Sequence, residues 1–274
     1  MVIKNDEKNF YIVGAECFSL ADTLDCGQAF RWAEQDGVWQ AVVGQKLRRV
    51  SQQGDTITFF DCQKEEFENF YMPYFDIKRD YKKIIDTVAE NEVLSAATAV
   101  AGGIRILRQD PWETLCSFII SQNNNIPRIK GIIDRLCENF GEKIEGGYTF
   151  PSAERIAALS IDDLAPLRSG FRAKYIIDAA KKFADGTVSP ERIESLSTDE
   201  ARAELMKIYG VGEKVADCAL LFGFSRIDAF PKDVWIKRAM TVLFDGVLPE
   251  CAVPFAGIVQ QYIFHYARMT KLSF

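Results

Sequence analysis

Lys214 and Asp233, 19 positions apart, are the side chains in this sequence best suited to chemistry. Lys214 follows Gly210-Val211-Gly212 and begins a segment almost free of charge. Lys214, Cys218 and Leu221 are spaced i, i+4 and i+7, so a helix would place them on one face. Removing a lysine amine from water favours its neutral form, which is nucleophilic. The ordinary alternative is a lysine whose stem covers the core while its head reaches water.

Asp233 precedes the helical pattern VWIKRAMTVLF, and its simplest role is that of an N-cap. A carboxylate held beside an amine could also stabilise a cationic sugar or transfer protons. Only one histidine, His265, occurs in the chain. Histidine-dependent triads and multi-histidine metal sites are therefore poor competitors for this chemistry.

The Gly210-Val211-Gly212 tripeptide lies between two predicted helices. Ser197 and Glu200 form the pattern of a capping box that opens the first helix, which is expected to run toward Ile208. The second helix is expected to begin at about Glu213. Glycines allow a tight turn, and free N–H groups at a helix start bind anions. A helix-hairpin-helix over about residues 198–223 would hold a DNA phosphate without reading bases; an ordinary helical hairpin is the alternative.

The elements that must position these residues change character once along the chain. Between about residues 10 and 60, the aromatic and β-branched segments FYIV, QAFRW, VWQAVV and TITFF are separated by turn signals, which predicts an antiparallel sheet. From about Glu65 onward helical periodicity dominates, and Asp110-Pro111-Trp112-Glu113 is a strong helix start. We expect an α+β protein, with a small sheet domain and connecting helices over residues 1–105 and an all-helical part over residues 106–274.

Composition excludes several classes of protein. Charged residues interrupt every hydrophobic stretch, and the N-terminal sequence MVIKNDEKNF is too polar for a secretory signal. The seven cysteines are scattered without a CxxC pair, which argues against a zinc ribbon and favours a reducing compartment. We therefore expect a cytoplasmic location, at the nucleoid in a prokaryote or in the nucleus of a eukaryote. The net charge of −6 argues mildly against nucleic acid, but a local basic patch is enough for phosphate contacts.

Four stretches, in the same order, resemble the 8-oxoguanine DNA glycosylase/AP lyases, in the eukaryotic-type branch of the helix-hairpin-helix, Gly/Pro-Asp base-excision superfamily. They are CGQAFRW (Cys26 to Trp32), RQDPWETLCSFIISQNNNIPRI (Arg108 to Ile129), GFRAKY (Gly170 to Tyr175) and GVGEKVADC (Gly210 to Cys218). The resemblance implies a small antiparallel sheet domain followed by a helical glycosylase core. It also implies a monomer without metal or cofactor, whose partner is double-stranded DNA containing 8-oxoguanine.

The resemblance assigns roles in catalysis and in holding the damaged base. Lys214 matches the nucleophile that displaces the base and forms a Schiff base with the sugar, from which β-elimination nicks the strand. Asp233 matches the aspartate that stabilises the developing positive charge. Cys218 and Phe264 match the residues that pack against the base on either side, and Gln260 matches the reader of its Watson–Crick edge.

Further roles concern the identity of the lesion and the opposite strand. Guanine N7 is an acceptor, whereas 8-oxoguanine carries a hydrogen there; Gly27 matches the glycine whose carbonyl detects that change. Asn123 matches the asparagine that enters the duplex where the base has left. Arg128 and Arg172 match the arginines that read the estranged cytosine, and Phe171 matches the neighbouring aromatic residue. The Gly210-Val211-Gly212 turn would bind a DNA phosphate.

The chain also departs from the family pattern. Phe171 stands where better-known members have tyrosine, and Trp235 replaces a frequent histidine. The C-terminal cysteine cluster of iron–sulfur relatives is absent from the sequence. Two other functions stay open: a related glycosylase for alkylated bases, and a non-catalytic helix-hairpin-helix DNA-binding module. Because the net charge is acidic, we expect the basic residues of the DNA-binding face to be concentrated together, namely Arg128, Lys130, Arg168, Arg172 and Lys174.

Overall fold

The computed structural model of the protein describes residues 1–270. Within that range, six antiparallel strands form the N-terminal sheet, in the order β1-β2-β6-β5-β4-β3. The strands are β1 (Val2–Asn5), β2 (Phe10–Val13), β3 (Ala33–Gln35), β4 (Val38–Val43), β5 (Lys46–Gln53) and β6 (Thr56–Phe59).

One face of this sheet is buried under aromatic side chains. Ile12 pairs with Ile57 and Val50 pairs with Phe59, and all four side chains are inaccessible to solvent. The ring of Phe59 packs against the ring of Phe67, which lies in the helical segment after the sheet, with 5.2 Å between the ring centres. This alternation of buried and outward residues is the reason that FYIV, VWQAVV and TITF form strands as predicted.

The prediction of a strand at QAFRW was wrong, because the segment is held by side-chain bonds instead of a ladder. Gln28 is buried, and its Nε2 donates to the carbonyls of Thr23 and Arg105, both at 2.8 Å. Its Oε1 accepts from the backbone N–H of Leu107 at 2.9 Å. The Gln28 amide thus joins Thr23, in the short helix before it, to the segment around Arg105 that leads into the helical part. These bonds also fix the backbone next to Gly27.

Helices make up most of the remaining chain, and residues 1–270 contain none long and apolar enough to span a membrane. Short irregular helices lie at Phe67–Tyr71, Asp162–Leu167 and Glu250–Phe255. The α-helices are α1 (Leu20–Asp25), α2 (Lys64–Glu66), α3 (Met72–Tyr74), α4 (Tyr81–Val88), α5 (Glu92–Ala101), α6 (Pro111–Ser121), α7 (Ile126–Phe140), α8 (Ala153–Ala157), α9 (Arg172–Ala184), α10 (Pro190–Ser195), α11 (Thr198–Leu205), α12 (Glu213–Gly223), α13 (Val234–Phe244) and α14 (Ala256–Met269).

The predicted helix starts are confirmed by their caps. Asp110 accepts a hydrogen bond from the N–H of Glu113 at 2.8 Å, with Pro111 in the first turn. Ser197 and Glu200 form the reciprocal capping box. Caps depend on residues within one turn of each other, which is why the sequence alone identifies them.

The helical part differs from the prediction by one small hairpin. β7 (Lys143–Ile144) pairs with β8 (Gly147–Tyr148) after α7. Gly146 turns the chain in the left-handed region, at φ +81°. The β1 strand was likewise not predicted, since its residues are exposed and show no apolar alternation.

Candidate active site

The turn between α11 and α12 has the geometry of an anion site. Gly210 adopts φ +81°, and a Cβ there would lie 2.5 Å from the ring of Tyr175. Gly212 is the N-cap of α12 and supplies no side-chain hydrogen bond, so the first N–H groups of the helix have no side-chain cap. Val211 between them is buried. The helix-hairpin-helix therefore runs from Thr198 to Gly223, although α11 ends at Leu205, before the predicted Ile208.

Six of the predicted site residues border one small cavity of about 180 Å³, which we call the central cavity. They come from four separate parts of the chain: the loop after α1, α12, the residue before α13, and α14. The six are Gly27, Lys214, Cys218, Asp233, Gln260 and Phe264. A larger cleft of about 1060 Å³ lies around Asp110 and Glu154 and includes none of the predicted site residues. Side-chain chemistry, and not cavity size, identifies the candidate site.

Lys214 lies between the central cavity and a broad depression of about 990 Å³, the outer groove. Its side chain is half-buried, and its Nζ lies 5.0 Å from the centre of the Phe118 ring. A ring face attracts a cation and, at the same time, excludes water from one side of it. The amine can thus reach an atom inside the cavity while one side remains open to the groove.

Asp233 is the N-cap of α13, as predicted, and it also borders the central cavity. Its Oδ1 accepts a hydrogen bond from the N–H of Ile236 at 2.7 Å. Since that bond orients the carboxylate, the cap fixes the direction of a charge beside the cavity. The two interpretations of Asp233, cap and charged site residue, are therefore compatible.

Cys218 lies one turn after Lys214 and is buried in the wall of the central cavity. Burial raises the pKa of its thiol to about 11, against an opposing effect of the Lys214 charge. The side chain is therefore a neutral thiol near pH 7. It serves as a small apolar surface and not as a thiolate nucleophile.

Gly27 adopts the left-handed conformation, at φ +88°. A Cβ at this position would meet only the side chain of Ile126, at 3.9 Å. Backbone conformation, more than lack of space, therefore requires glycine here. The backbone at Gly27 borders the cavity opposite the helices, where Gln28 holds it.

Gln260 and Phe264 lie one turn apart on α14 and face the same cavity. Gln260 is 5% exposed, and its Oε1 accepts a hydrogen bond from the Nε2 of Gln261 at 2.7 Å. Sequence reasoning missed Gln261, although its spacing of three residues from Phe264 could have placed it on the same face. Other cavity residues that it missed are Phe30, Phe118, Asn124 and Phe222.

Of the four residues predicted to act on the opposite strand, two line the outer groove. Asn123 and Phe171 line it, and Phe171 is 48% exposed. Asn123 follows α6 in the left-handed region at φ +54°, so its backbone is strained. The exposed Arg128 makes only long contacts, 3.5 Å to Asn124 Oδ1 and 3.4 Å to the carbonyl of Arg168.

Arg172 is only partly free to contact a DNA base. The residue is 2% exposed, and its guanidinium already donates hydrogen bonds to backbone carbonyls. Its Nε donates to the carbonyl of Gln122 at 3.0 Å and its Nη1 to that of Ser169 at 3.2 Å. Its Nη2 donates to the carbonyls of Gln122 and Asn123. Of the five N–H groups of a guanidinium, one is left. Burial lowers the pKa of Arg172, and the nearby charge of Arg128 lowers it further. The main effect of the hydrogen bonds from the guanidinium is to hold the backbone of Asn123 in place.

Within residues 1–270, only some of the basic residues expected on the DNA-binding face are exposed and free of an ion pair. Arg128, Arg168 and Lys174 are exposed, whereas Lys130 pairs with Asp25 at 3.7 Å. The Lys174 amine lies 5.2 Å from the ring of Tyr209, next to the glycine turn. Trp235, at the position of the expected histidine, is 50% exposed.

Two family models match adjoining parts of the chain. The 8-oxoguanine DNA glycosylase N-terminal domain matches residues 11–115, and the HhH-GPD superfamily of base excision DNA repair proteins matches residues 116–245. A probable N-glycosylase/DNA lyase of Methanothermobacter thermautotrophicus is 31% identical over 243 residues, which are 76% of each chain. The chain therefore belongs to the 8-oxoguanine DNA glycosylase family.

Other members of this family extend the comparison. The N-glycosylase/DNA lyase of Saccharomyces cerevisiae is 34% identical over 249 residues, which cover 80% of this chain and 66% of the yeast protein. An 8-oxoguanine glycosylase/lyase of Clostridium acetobutylicum, solved with duplex DNA that has cytosine opposite 8-oxoguanine, is 36% identical. The two folds superpose with a TM-score of 0.91 over 99% of each chain. The junction between the two family models lies inside α6, and the domain boundary at residue 105 stays a prediction.

The glycine turn provides a test of the hairpin. Gly210→Ala should lower the free energy of unfolding by about 2 kcal/mol or more, because it adds left-handed strain and a clash with Tyr175. It should also weaken binding to duplex DNA. Gly212→Ala is the matched control, since nothing lies within 4 Å of its added Cβ and its φ is −101°.

Urea unfolding and DNA-binding titrations of both variants provide the measurement. Equal stability of the two would contradict the role of Gly210 in the turn.

Proposed function

We propose that this protein is a bifunctional DNA repair glycosylase. It excises 8-oxoguanine, preferably opposite cytosine, through a Schiff base at Lys214, and then nicks the strand by β-elimination. The observation that carries the proposal is the convergence on one cavity of Lys214, Asp233 and the four residues assigned to the damaged base. Double-stranded DNA is the partner. Flipping the base costs a few kcal/mol of stacking, so residues such as Asn123 that fill the vacated space offset that loss.

In the first step, the C1′–N9 bond of the flipped nucleotide breaks, and the amine of Lys214 forms a bond to C1′ and passes one of its protons to the departing base. The base leaves with the bonding electron pair, and the sugar becomes transiently cationic. The carboxylate of Asp233 stabilises that charge because its cap bond already orients it. The sugar ring then opens at the C1′–O4′ bond, O4′ takes up a proton, and a protonated imine remains between Lys214 and C1′.

In the second step, the imine acidifies the C2′ proton. Loss of that proton places electrons between C1′ and C2′, and the C3′–O bond breaks with departure of the 3′ phosphate. The opening of Lys214 toward the outer groove supports this step, because a base bound in the central cavity would leave its sugar and phosphates on the groove side of the amine. The lysine therefore serves both steps from one position.

The two alternatives are weaker. A non-catalytic DNA-binding module has no use for an aspartate and a lysine beside a base-sized cavity. A glycosylase for alkylated bases does not require a lysine at this position, although the DNA-3-methyladenine glycosylase of Bacillus subtilis is 27% identical over 210 residues.

Covalent trapping tests the Schiff base. Incubation with 8-oxoguanine duplex and borohydride should yield a stable protein–DNA adduct, because reduction fixes the imine. Lys214→Gln should bind the duplex but give no adduct on a denaturing gel. Lys232→Gln is the control, since Lys232 lines the outer groove but not the central cavity, and it should still form the adduct. An adduct with Lys214→Gln would assign the nucleophile to another amine.

The charge of Asp233 can be separated from its capping role. Asp233→Asn should slow base release by about 100-fold or more, because it removes a charge that acts on the transition state. Its effect on unfolding should be below about 1 kcal/mol, since asparagine is an equally good N-cap. Asp80→Asn, at the cap of α4, makes the same change far from the chemistry and should leave excision unchanged. Single-turnover kinetics and urea unfolding measure the two effects; near-normal turnover of Asp233→Asn would reduce the residue to a cap.

Discrimination of the opposite base is expected to depend mainly on Arg128. Cytosine presents the acceptors N3 and O2, which suit a guanidinium, whereas adenine presents an N6 donor. A buried donor without an acceptor costs about 1–3 kcal/mol, so 8-oxoguanine opposite cytosine should be excised roughly ten times faster or more. Arg172 has one N–H left for this purpose and contributes mainly by holding Asn123.

Four duplexes that differ only opposite the lesion provide the measurement, under single-turnover conditions. Arg128→Ala should narrow the gap between cytosine and the other bases. Arg155→Ala, an exposed arginine outside the central cavity and the outer groove, should preserve it. Equal rates on all four duplexes with the unmutated protein would refute the assignment of Arg128 while leaving that of Lys214 intact.

A further inference from the structure

Gln261 is a buried polar residue of the central cavity to which the proposed reaction assigns no role. It is 5% exposed, and it lies on the face of α14 that also carries Gln260 and Phe264. Its Nε2 donates to the Oε1 of Gln260 at 2.7 Å. Its own Oε1 is buried without a hydrogen-bond partner among residues 1–270.

The unpartnered Oε1 indicates what the side chain is for. A buried acceptor without a donor is unfavourable, and an apolar residue of similar volume would avoid that loss. Packing alone therefore favours methionine or leucine at this position. The bond from Gln261 Nε2 to Gln260 Oε1 is the one polar interaction that gives a reason for the glutamine.

That bond fixes which end of the Gln260 amide can serve as donor to a base. With Oε1 engaged by Gln261, the Nε2 of Gln260 is directed to the other side. A 6-oxopurine presents an O6 acceptor beside an N1–H donor. Gln260 can donate from Nε2 to O6 and accept from N1–H with the second lone pair of Oε1. A 6-aminopurine presents the opposite pattern and requires the Gln260 amide turned end for end, which breaks its bond to Gln261 Nε2 unless the Gln261 amide turns with it.

We propose that Gln261 is a positioning residue that orients the Gln260 amide and so makes the cavity select oxidised guanine over oxidised adenine. This inference rests on the proposed excision of 8-oxoguanine. Gln261 acts through Gln260 and does not need to touch the base itself. Its effect is therefore on the choice between bases.

The test compares single-turnover excision of 8-oxoguanine and 8-oxoadenine, each opposite cytosine. Gln261→Met keeps the volume and apolar packing but releases the Gln260 amide, which can then turn to suit either base. The ratio of the two rates should fall by about tenfold, the effect of one mismatched buried hydrogen bond. Gln261→Leu repeats the test with a second apolar side chain. Tyr262→Phe is the matched control: it removes a buried, unpartnered hydroxyl from the same helix outside the cavity, and the ratio should not change.

A double-mutant cycle separates positioning from a general structural effect. Gln260→Met should itself lower the ratio, and adding Gln261→Met to it should cause no further fall, because the residue acts only through Gln260. An unchanged ratio in active Gln261→Met, or additive effects of the two changes, would overturn the inference while the proposed function stands. Failure of the unmutated protein to excise 8-oxoguanine would overturn both.

Discussion

The packing of one aromatic ring determines where the amine of Lys214 lies. Phe118 of α6 contacts the ring of Phe30 at 5.7 Å and is stacked on that of Phe222 at 5.4 Å. The Nζ of Lys214 lies 5.0 Å from the same ring. Phe118 therefore joins the segment between α1 and β3, the helical hairpin and the amine. Because packed rings have few alternative positions, the amine is held at the cavity wall before any substrate binds.

Around this rigid centre, the site contains features that lower stability. Asn123 adopts a left-handed conformation, and Gln261 has a buried acceptor without a partner among residues 1–270. Such features persist only where the surrounding structure holds them. The guanidinium of Arg172 donates to the carbonyl of Asn123 and so holds its backbone. One buried polar side chain thus stabilises the strained backbone at the edge of the site.

The acidic net charge of −6 makes local electrostatics decisive for a protein of DNA repair. Arg172 is bonded to carbonyls and Lys130 to Asp25, so these two cations contribute less at the surface than their number suggests. The start of α12, which has no side-chain cap, lies at the outer groove, and Arg128 is exposed. The proposed phosphate contact at the start of α12 would depend on the geometry of a few donors more than on total charge.

Features that depend on neighbours in the chain could be predicted from the amino-acid sequence. The caps at Asp110, Ser197 and Asp233, and the shared face of Lys214 and Cys218, follow from interactions within one or two helical turns. The family motifs identified residues for the central cavity by type, and all six of them border it. Local rules sufficed because these features do not need a distant partner.

Features that depend on residues far apart in the chain became apparent from the folded structure. QAFRW resembles a strand, but Gln28 bonds to the carbonyl of Arg105, 77 positions away, and this bond replaces a ladder. The family motif predicts a base contact for Arg172, yet two of the carbonyls that it binds, those of Gln122 and Asn123, lie about 50 positions earlier. Gln261 gains significance only once α14 is packed beside α12 and the cavity between them is closed. A sequence pattern indicates which side chains are able to form hydrogen bonds, whereas the fold determines which distant residues lie close enough to be their partners.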